Sequence, residues 1–160
     1  IRICEKLVEK YPENDGQVKL LYVAATRALR ERPEVTGPVG LMGFCFGGAM
    51  VWACATSSRV NGKGPDAAVS YYGSAVNSML GMLPGLTCPT MFHYGNNDAF
   101  IPPSDIDEVE QAVSGLPNVT FHRYDAGHAF SNWDAPSMYQ KDAADLAWGR
   151  TLEFFAQHLR

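Results

Sequence analysis

Apolar positions along this chain fall into two rhythms. Val18, Leu21, Tyr22, Ala25 and Leu29 recur at the spacing that keeps one face of a helix apolar, which predicts an amphipathic helix over residues 16–31. Pro33 and Gly37-Pro38 end it. Val39 to Phe44 is an apolar run too short for a helix and reads as a buried strand, and 67–72, 90–94 and 119–124 read as three further strands. The small residues of GGAM and the following VWACAT predict a helix packed closely on a sheet. Residues 74–87, with their Gly, Pro and Met, read as a loop holding at most a short helix. Ser104 with Asp107 resembles a capping box, opening a helix that runs to about Ser114 and stops at Gly115 and Pro117. A last helix over roughly 137–158 has Ala144, Trp148, Leu152, Phe155 and Leu159 on its expected apolar face. No internal repeat or low-complexity segment interrupts the pattern.

Alternating helices and short apolar strands predict an α/β fold, a parallel sheet with helices on both faces, and 160 residues suit one domain. Ligands of such sheets bind beyond the carboxyl ends of the strands. Chemistry is therefore expected just after residues 44, 72, 95 and 124. Three of those positions carry reactive side chains: Cys45, Asp98 in GNNDAFIP, and His128 in DAGHAF. Nucleophile, acid and histidine in that order match the chain order of a hydrolytic triad.

The glycines around Cys45 fit this reading. A nucleophile on a sharp strand-to-helix turn adopts a strained backbone with φ > 0. Gly43 and Gly47 leave room for the chain to double back, and Gly48 and Ala49 let the helix approach the sheet. The sulfur then sits at a helix N-terminus, where free N–H groups favour a thiolate. The Phe46 N–H is the natural first donor of an oxyanion hole. His128 takes or shares the thiol proton, and Asp98 orients the imidazole. Each residue alone has a plainer reading. Cys45, like Cys54 and Cys88, would suit a crowded core; Asp98 ends a run of turn residues; and His128 would serve to bridge loops. His93 and His122, inside strands, and His158, near the chain end, suit core, surface or capping roles.

Composition narrows the classes of partner. The net charge is −4, 46% of residues are hydrophobic and 19% charged, ordinary values for a globular protein. The absence of a basic block argues against nucleic acid and anionic membranes, and no apolar run reaches the length of a bilayer span. Cys4, Cys45, Cys54 and Cys88 are spaced irregularly, which fits neither a zinc framework nor a disulfide scaffold and points to a reducing cytoplasm. Asn118-Val119-Thr120 matches a glycosylation triplet by chance. No histidine spacing suggests a metal and no glycine motif a nucleotide, so no cofactor is expected. The chain opens at Ile1 within IRICEKLVEKYP, which resembles the inside of an element and leads us to expect upstream residues.

Taken together, GFCFGG, YYG, FHYGNNDAFIP and AGHAF resemble the dienelactone hydrolase family, the cysteine-nucleophile branch of the α/β-hydrolases. The resemblance runs over about residues 16–160, the C-terminal two-thirds of such a domain. It implies a hydrolase that opens a lactone or small ester by acyl transfer through Cys45, with Asp98 and His128 completing a triad and Phe46 donating to the oxyanion. Tyr72 falls where the family has a pocket tyrosine, although a core role fits it equally. Phe44, Phe130 and Trp133 become candidate pocket walls. Asn132 stands where the dienelactone enzyme has an arginine for the substrate carboxylate, and an amide offers neither charge nor a bidentate fork. The family's N-terminal strands, with a second oxyanion donor, another arginine and a glutamate, find no match in residues 1–15. An inner strand then becomes an edge open to self-association. The competing expectation is a catalytically incomplete domain that keeps the fold for binding or interaction. Nothing suggests the groove of a cysteine peptidase.

Overall fold

The computed structural model describes residues 24–160. Of the first predicted helix, residues 24–30 are helical (α1), and 16–23 lie outside the described residues. Next come β1 (Gly40–Phe44), α2 (Phe46–Ser57), β2 (Ala67–Tyr71), a 3₁₀ stretch (Asn77–Gly85), β3 (Thr90–Gly95), α3 (Pro103–Val113), β4 (Val119–Tyr124) and α4 (Lys141–His158). The four strands form one parallel sheet in the order β1-β2-β3-β4.

Alternation along the strands assigns the layers. Phe92 on β3 meets Trp52 of α2, with ring centroids 5.7 Å apart, and Arg123 on β4 bridges Asp107 and Glu110 of α3. On the opposite face, Tyr71 and His93 meet Thr151 of α4. Helices thus cover both faces, as an all-parallel sheet requires. Every residue of α2 from Gly47 to Thr56 is buried; a helix apolar on all sides has no solvent face to offer. Asp66, just before β2, ties α1 to the sheet by accepting from Arg30 and from the Val39 amide, each at 2.8 Å. Among the described residues β1 is an edge strand, and its Met42 and Phe44 are 37% and 41% exposed. No helix among these residues is long and apolar enough to cross a membrane.

Three expectations need correction. Residues 74–87 hold a nine-residue 3₁₀ stretch, longer than the short helix expected, with Pro84 inside it. The Ser104–Asp107 capping box does not form: Pro102 is the N-cap, with no side-chain cap, and the Ser104 hydroxyl donates to Asp105 instead. The reason is Pro103, whose fixed φ and missing N–H suit the first helical position and start α3 two residues earlier than a Ser104 cap would. The last helix begins at Lys141, and its buried stripe is Ala144, Ala147, Thr151 and Phe154, while Trp148 and Leu152 are about half exposed.

That rotation places Thr151 in a buried polar network. The Thr151 hydroxyl donates to the Ala147 carbonyl (3.0 Å), so its oxygen accepts from Tyr71 (2.6 Å) and from His93 Nε2 (3.0 Å). His93 Nδ1 then accepts from the Tyr124 hydroxyl (2.7 Å), whose oxygen accepts from Arg150 (3.1 Å). Every group is satisfied only if His93 is neutral with its proton on Nε2. Burial, with repulsion from His122 and Arg150, pushes the imidazole down to about 3.

Replacing Thr151 with Val removes the acceptor for Tyr71 and His93 with little change of shape. Urea unfolding should show a loss of about 2–4 kcal/mol, and an unchanged midpoint would refute the network's role. Between pH 6.5 and about 3 the unfolded chain binds a proton at His93 that the folded chain does not. Stability therefore declines as pH falls through that window, by up to about 1.4 kcal/mol per unit. The urea midpoint of His93→Leu should fall less steeply with acid than that of the native protein; parallel slopes would contradict it.

Candidate active site

The site begins with a residue that belongs to two elements at once. The Cys45 amide donates to the Tyr71 carbonyl (2.9 Å), extending the β1–β2 ladder by one step. Its carbonyl accepts from the amides of Gly48 (2.9 Å) and Ala49 (3.2 Å), opening α2. Strand becomes helix within one residue only at φ 54°, ψ −122°, a conformation that costs a side-chain-bearing residue about 1–3 kcal/mol. The glycines make it sterically feasible. A Cβ on Gly43 would lie 2.2 Å from the Gly47 carbonyl oxygen, and one on Gly48 would lie 2.9 Å from both Gly73 Cα and the Tyr71 carbonyl oxygen.

The loops after β3 and β4 are laced together. The Asn96 and Asn97 amides donate to the carbonyls of Tyr124 (2.8 Å) and Ala126 (3.0 Å), and the Asn97 side chain donates to Asp125. Asp98 divides its carboxylate between both of its sequence readings. Oδ1 accepts from the Phe100 and Ile101 amides (2.8 and 3.0 Å), making the turn, and Oδ2 lies 2.7 Å from His128 Nδ1. The His128 ring lies 5.0 Å from both Tyr72 and Phe100 by centroid.

Charge follows this arrangement. Hydrogen bonding with His128 lowers the Cys45 thiol, outweighing the upward push of burial, and the Ser74 hydroxyl, the His128 charge and the Phe46 amide add to the effect. Burial alone would lower His128, but bonds to Asp98 and Cys45 raise it to about 9. Burial would raise Asp98, but His128 and the two turn amides hold it below the usual carboxylate value. The three shifts couple Cys45, His128 and Asp98 to one another electrostatically.

The remaining candidates spread over a wider area. Phe46 is the first residue of α2, partly buried against the core. Phe44 packs with its ring tilted against Tyr71 and Tyr72, with centroids 4.7 and 6.0 Å apart. Tyr72 is buried at a strained φ of 36°. Phe130 has no exposed surface and props Tyr72 from below, with centroids 5.3 Å apart. Asn132 uses its side-chain oxygen to accept from the Asp134 amide (3.2 Å), closing a local turn. Trp133 stands 75% exposed in the same loop. His93 is core, and the ring of His158 packs on Phe154.

Two nearby residues escaped the sequence reading. Phe100 flanks His128 and is 66% exposed. The Ser74 Oγ lies 3.6 Å from Cys45 Sγ. The strand-end rule points to the position after residue 72, but a serine there carries no motif of its own. Two surface depressions of about 520 and 440 Å³, one beside Leu80 and Leu116 and one beside His122 and Arg150, do not include Cys45. Among the described residues no three His, Cys, Asp or Glu side chains are grouped to hold a metal ion.

Comparison with known proteins agrees with the motifs. The profile of the dienelactone hydrolase family matches residues 1–159. A carboxymethylenebutenolidase of Pseudomonas putida is 36% identical over 134 residues, 83% of this chain and 54% of that protein. Carboxymethylenebutenolidase 1 of Cupriavidus pinatubonensis is 31% identical over 79% of this chain and 52% of its own length. The crystal structure of a putative dienelactone hydrolase from Klebsiella pneumoniae superposes with a TM-score of 0.61 at 30% identity, covering 74% of this chain and 51% of that one. A dienelactone hydrolase-like promiscuous phosphotriesterase from metagenomic libraries shares the fold, with a TM-score of 0.76 at 21% identity over 98% of this chain and 67% of its own. The chain thus spans about half the length of the curated relatives it matches. With a family profile matched over nearly all its residues and relatives above 30% identity, this chain belongs to the dienelactone hydrolase family.

Proposed function

We propose that this chain carries the catalytic cysteine site of a hydrolase acting on a lactone or small ester. The observation that carries the reading is Cys45 at positive φ on the N-terminus of α2, electrostatically coupled to a His128–Asp98 pair 2.7 Å apart. The thiolate attacks the acyl carbonyl and forms a tetrahedral intermediate, whose oxyanion is received by the Phe46 N–H. The His128 imidazolium gives its proton to the departing alkoxide, leaving a thioester on Cys45. Neutral His128 then takes a proton from water, hydroxide attacks the thioester, and the thiol leaves as thiolate, restoring the pair. Asp98 keeps the imidazole oriented, with its Nε2 side towards the sulfur, and stabilises its charge throughout.

The relatives' names suggest a carboxymethylenebutenolide-type lactone. Against a close copy of that specificity stands Asn132, whose side-chain oxygen already closes a turn. A second reading is a binding domain that keeps the fold without turnover, favoured by the exposed Met42 and Phe44 on the β1 edge.

Hydrolysis of 4-nitrophenyl acetate and of a dienelactone separates the two readings. Turnover by the native protein should fall by about 10³-fold or more in Cys45→Ala. Equal rates in both proteins would exclude Cys45 as nucleophile, and no turnover in either would favour the binding domain. A second measurement follows the row of charges. The pH midpoint for alkylation of Cys45 by iodoacetamide should lie below the ordinary thiol value of 9.0 and move up towards it in His128→Ala, because the imidazolium is the largest influence lowering the thiol. A midpoint unmoved by that substitution would refute the coupling.

A further inference from the structure

The loop after β2 is built with more strain than a plain connection needs. Tyr72 and Ala75, neither of them glycine, sit at φ 36° and 62°. Such residues persist only where their surroundings hold them, and they cluster at functional sites. The holding contacts are visible. The Tyr94 hydroxyl donates to the Gly73 carbonyl (2.9 Å), and the Tyr72 amide donates to the His93 carbonyl (2.7 Å). Gly73 lies against α2 so closely that a Cβ there would be 3.1 Å from the Gly48 carbonyl carbon and 2.5 Å from Ser70 Oγ.

Between the two strained residues stands Ser74, which meets Cys45 twice. Its amide donates to the Cys45 carbonyl (3.4 Å), and its hydroxyl lies 3.6 Å from the sulfur. Within the sulfur's hydrogen-bonding range, a hydroxyl beside a thiolate can act only as the donor, since the thiolate has no proton to give.

We propose that Ser74 holds the resting thiolate of Cys45, its hydroxyl donating to the sulfur until the sulfur attacks the acyl carbonyl. This deepens the cysteine mechanism proposed above and rests on it for its catalytic meaning. The serine proton stays on its oxygen throughout. On attack the sulfur's lone pair enters the S–C bond, the sulfur becomes a poor acceptor, and the serine contact is released. When the thioester is hydrolysed the contact re-forms. The hydroxyl therefore has two opposing effects. It increases the thiolate fraction near neutral pH, and it makes each thiolate a weaker nucleophile, because nucleophilicity falls with thiol pKa. The strain at residues 72 and 75 is then explained as what it takes to present a serine to a sulfur across the elbow.

Alkylation by iodoacetamide across pH, followed by mass spectrometry of the peptide containing Cys45, tests this without requiring turnover. In Ser74→Ala the pH midpoint should rise by about half a unit or more. The limiting rate at high pH should increase by about 1.5-fold, so the two profiles cross. Ser74→Thr, which keeps a hydroxyl, should follow the native profile. Ser74→Ala leaves the backbone contact in place, and matching circular dichroism spectra identify folded variants. A Ser74→Ala profile that superimposes on the native one, or equal shifts in Ala and Thr variants, overturns the proposal. Ester turnover surviving in Cys45→Ala would instead refute the nucleophile assignment and leave the alkylation result standing by itself.

Discussion

The whole site depends on one backbone reversal. Cys45 ends a parallel ladder with its amide and starts a helix with its carbonyl, so the chain turns back on itself within a single residue. That turn presses Gly47 onto Gly43 and Gly48 onto the end of β2. From there the constraint spreads outwards. The close contact of α2 with Gly73 fixes the loop after β2, Tyr94 secures that loop to β3, and the loop after β3 is laced to the loop after β4. Three strand ends are held in register with the sulfur by hydrogen bonds and van der Waals contact, and no side chain longer than a proton fits at the glycine positions.

Two histidines show how the same scaffold sets opposite protonation states. His128 faces a carboxylate and a thiol, both of which gain from a neighbouring positive charge, and it is raised to about 9 despite burial. His93 faces only hydroxyls, with Arg150 and His122 near enough to repel a proton, and it is lowered to about 3. Both are largely buried and both bridge elements. The sign of the neighbouring charge decides the outcome. One imidazole is kept charged beyond the strand ends, beside Cys45, and the other is kept neutral beneath α4, where it joins helix to sheet.

The strands were legible to within a residue: β1, β2 and β3 are dominated by apolar residues. β4, partly exposed and carrying Thr120, His122 and Arg123, is marked by its β-favouring Val, Thr, Phe and Tyr. The Cys45 elbow was legible from its glycines, and Asp98 and His128 from their positions after strand ends. The face of α4 was not: Trp148 and Leu152 are the more hydrophobic residues, yet Thr151 is buried because Tyr71 and His93 offer it hydrogen bonds that periodicity does not register. The start of α3 was missed because Pro103 outcompeted the Ser104 cap. Ser74 and Phe100 were invisible because their roles arise from contacts across 29 and 28 positions, with Cys45 and His128 respectively, and carry no local pattern. The N-terminal part of the first predicted helix lies outside the described residues.

The elbow also separates what shapes the site from what reacts in it. Its curvature is enforced by Gly43 and Gly48, where an added carbon would overlap backbone atoms, while the Cys45 side chain plays no part in closing the turn. A side chain of similar size can therefore replace the thiol at 45 without meeting the contacts that close the turn, whereas a side chain at 43 or 48 would overlap backbone atoms. Evolutionary freedom in such a turn is greater at the residue that projects the side chain and least at two residues that have no side chain at all.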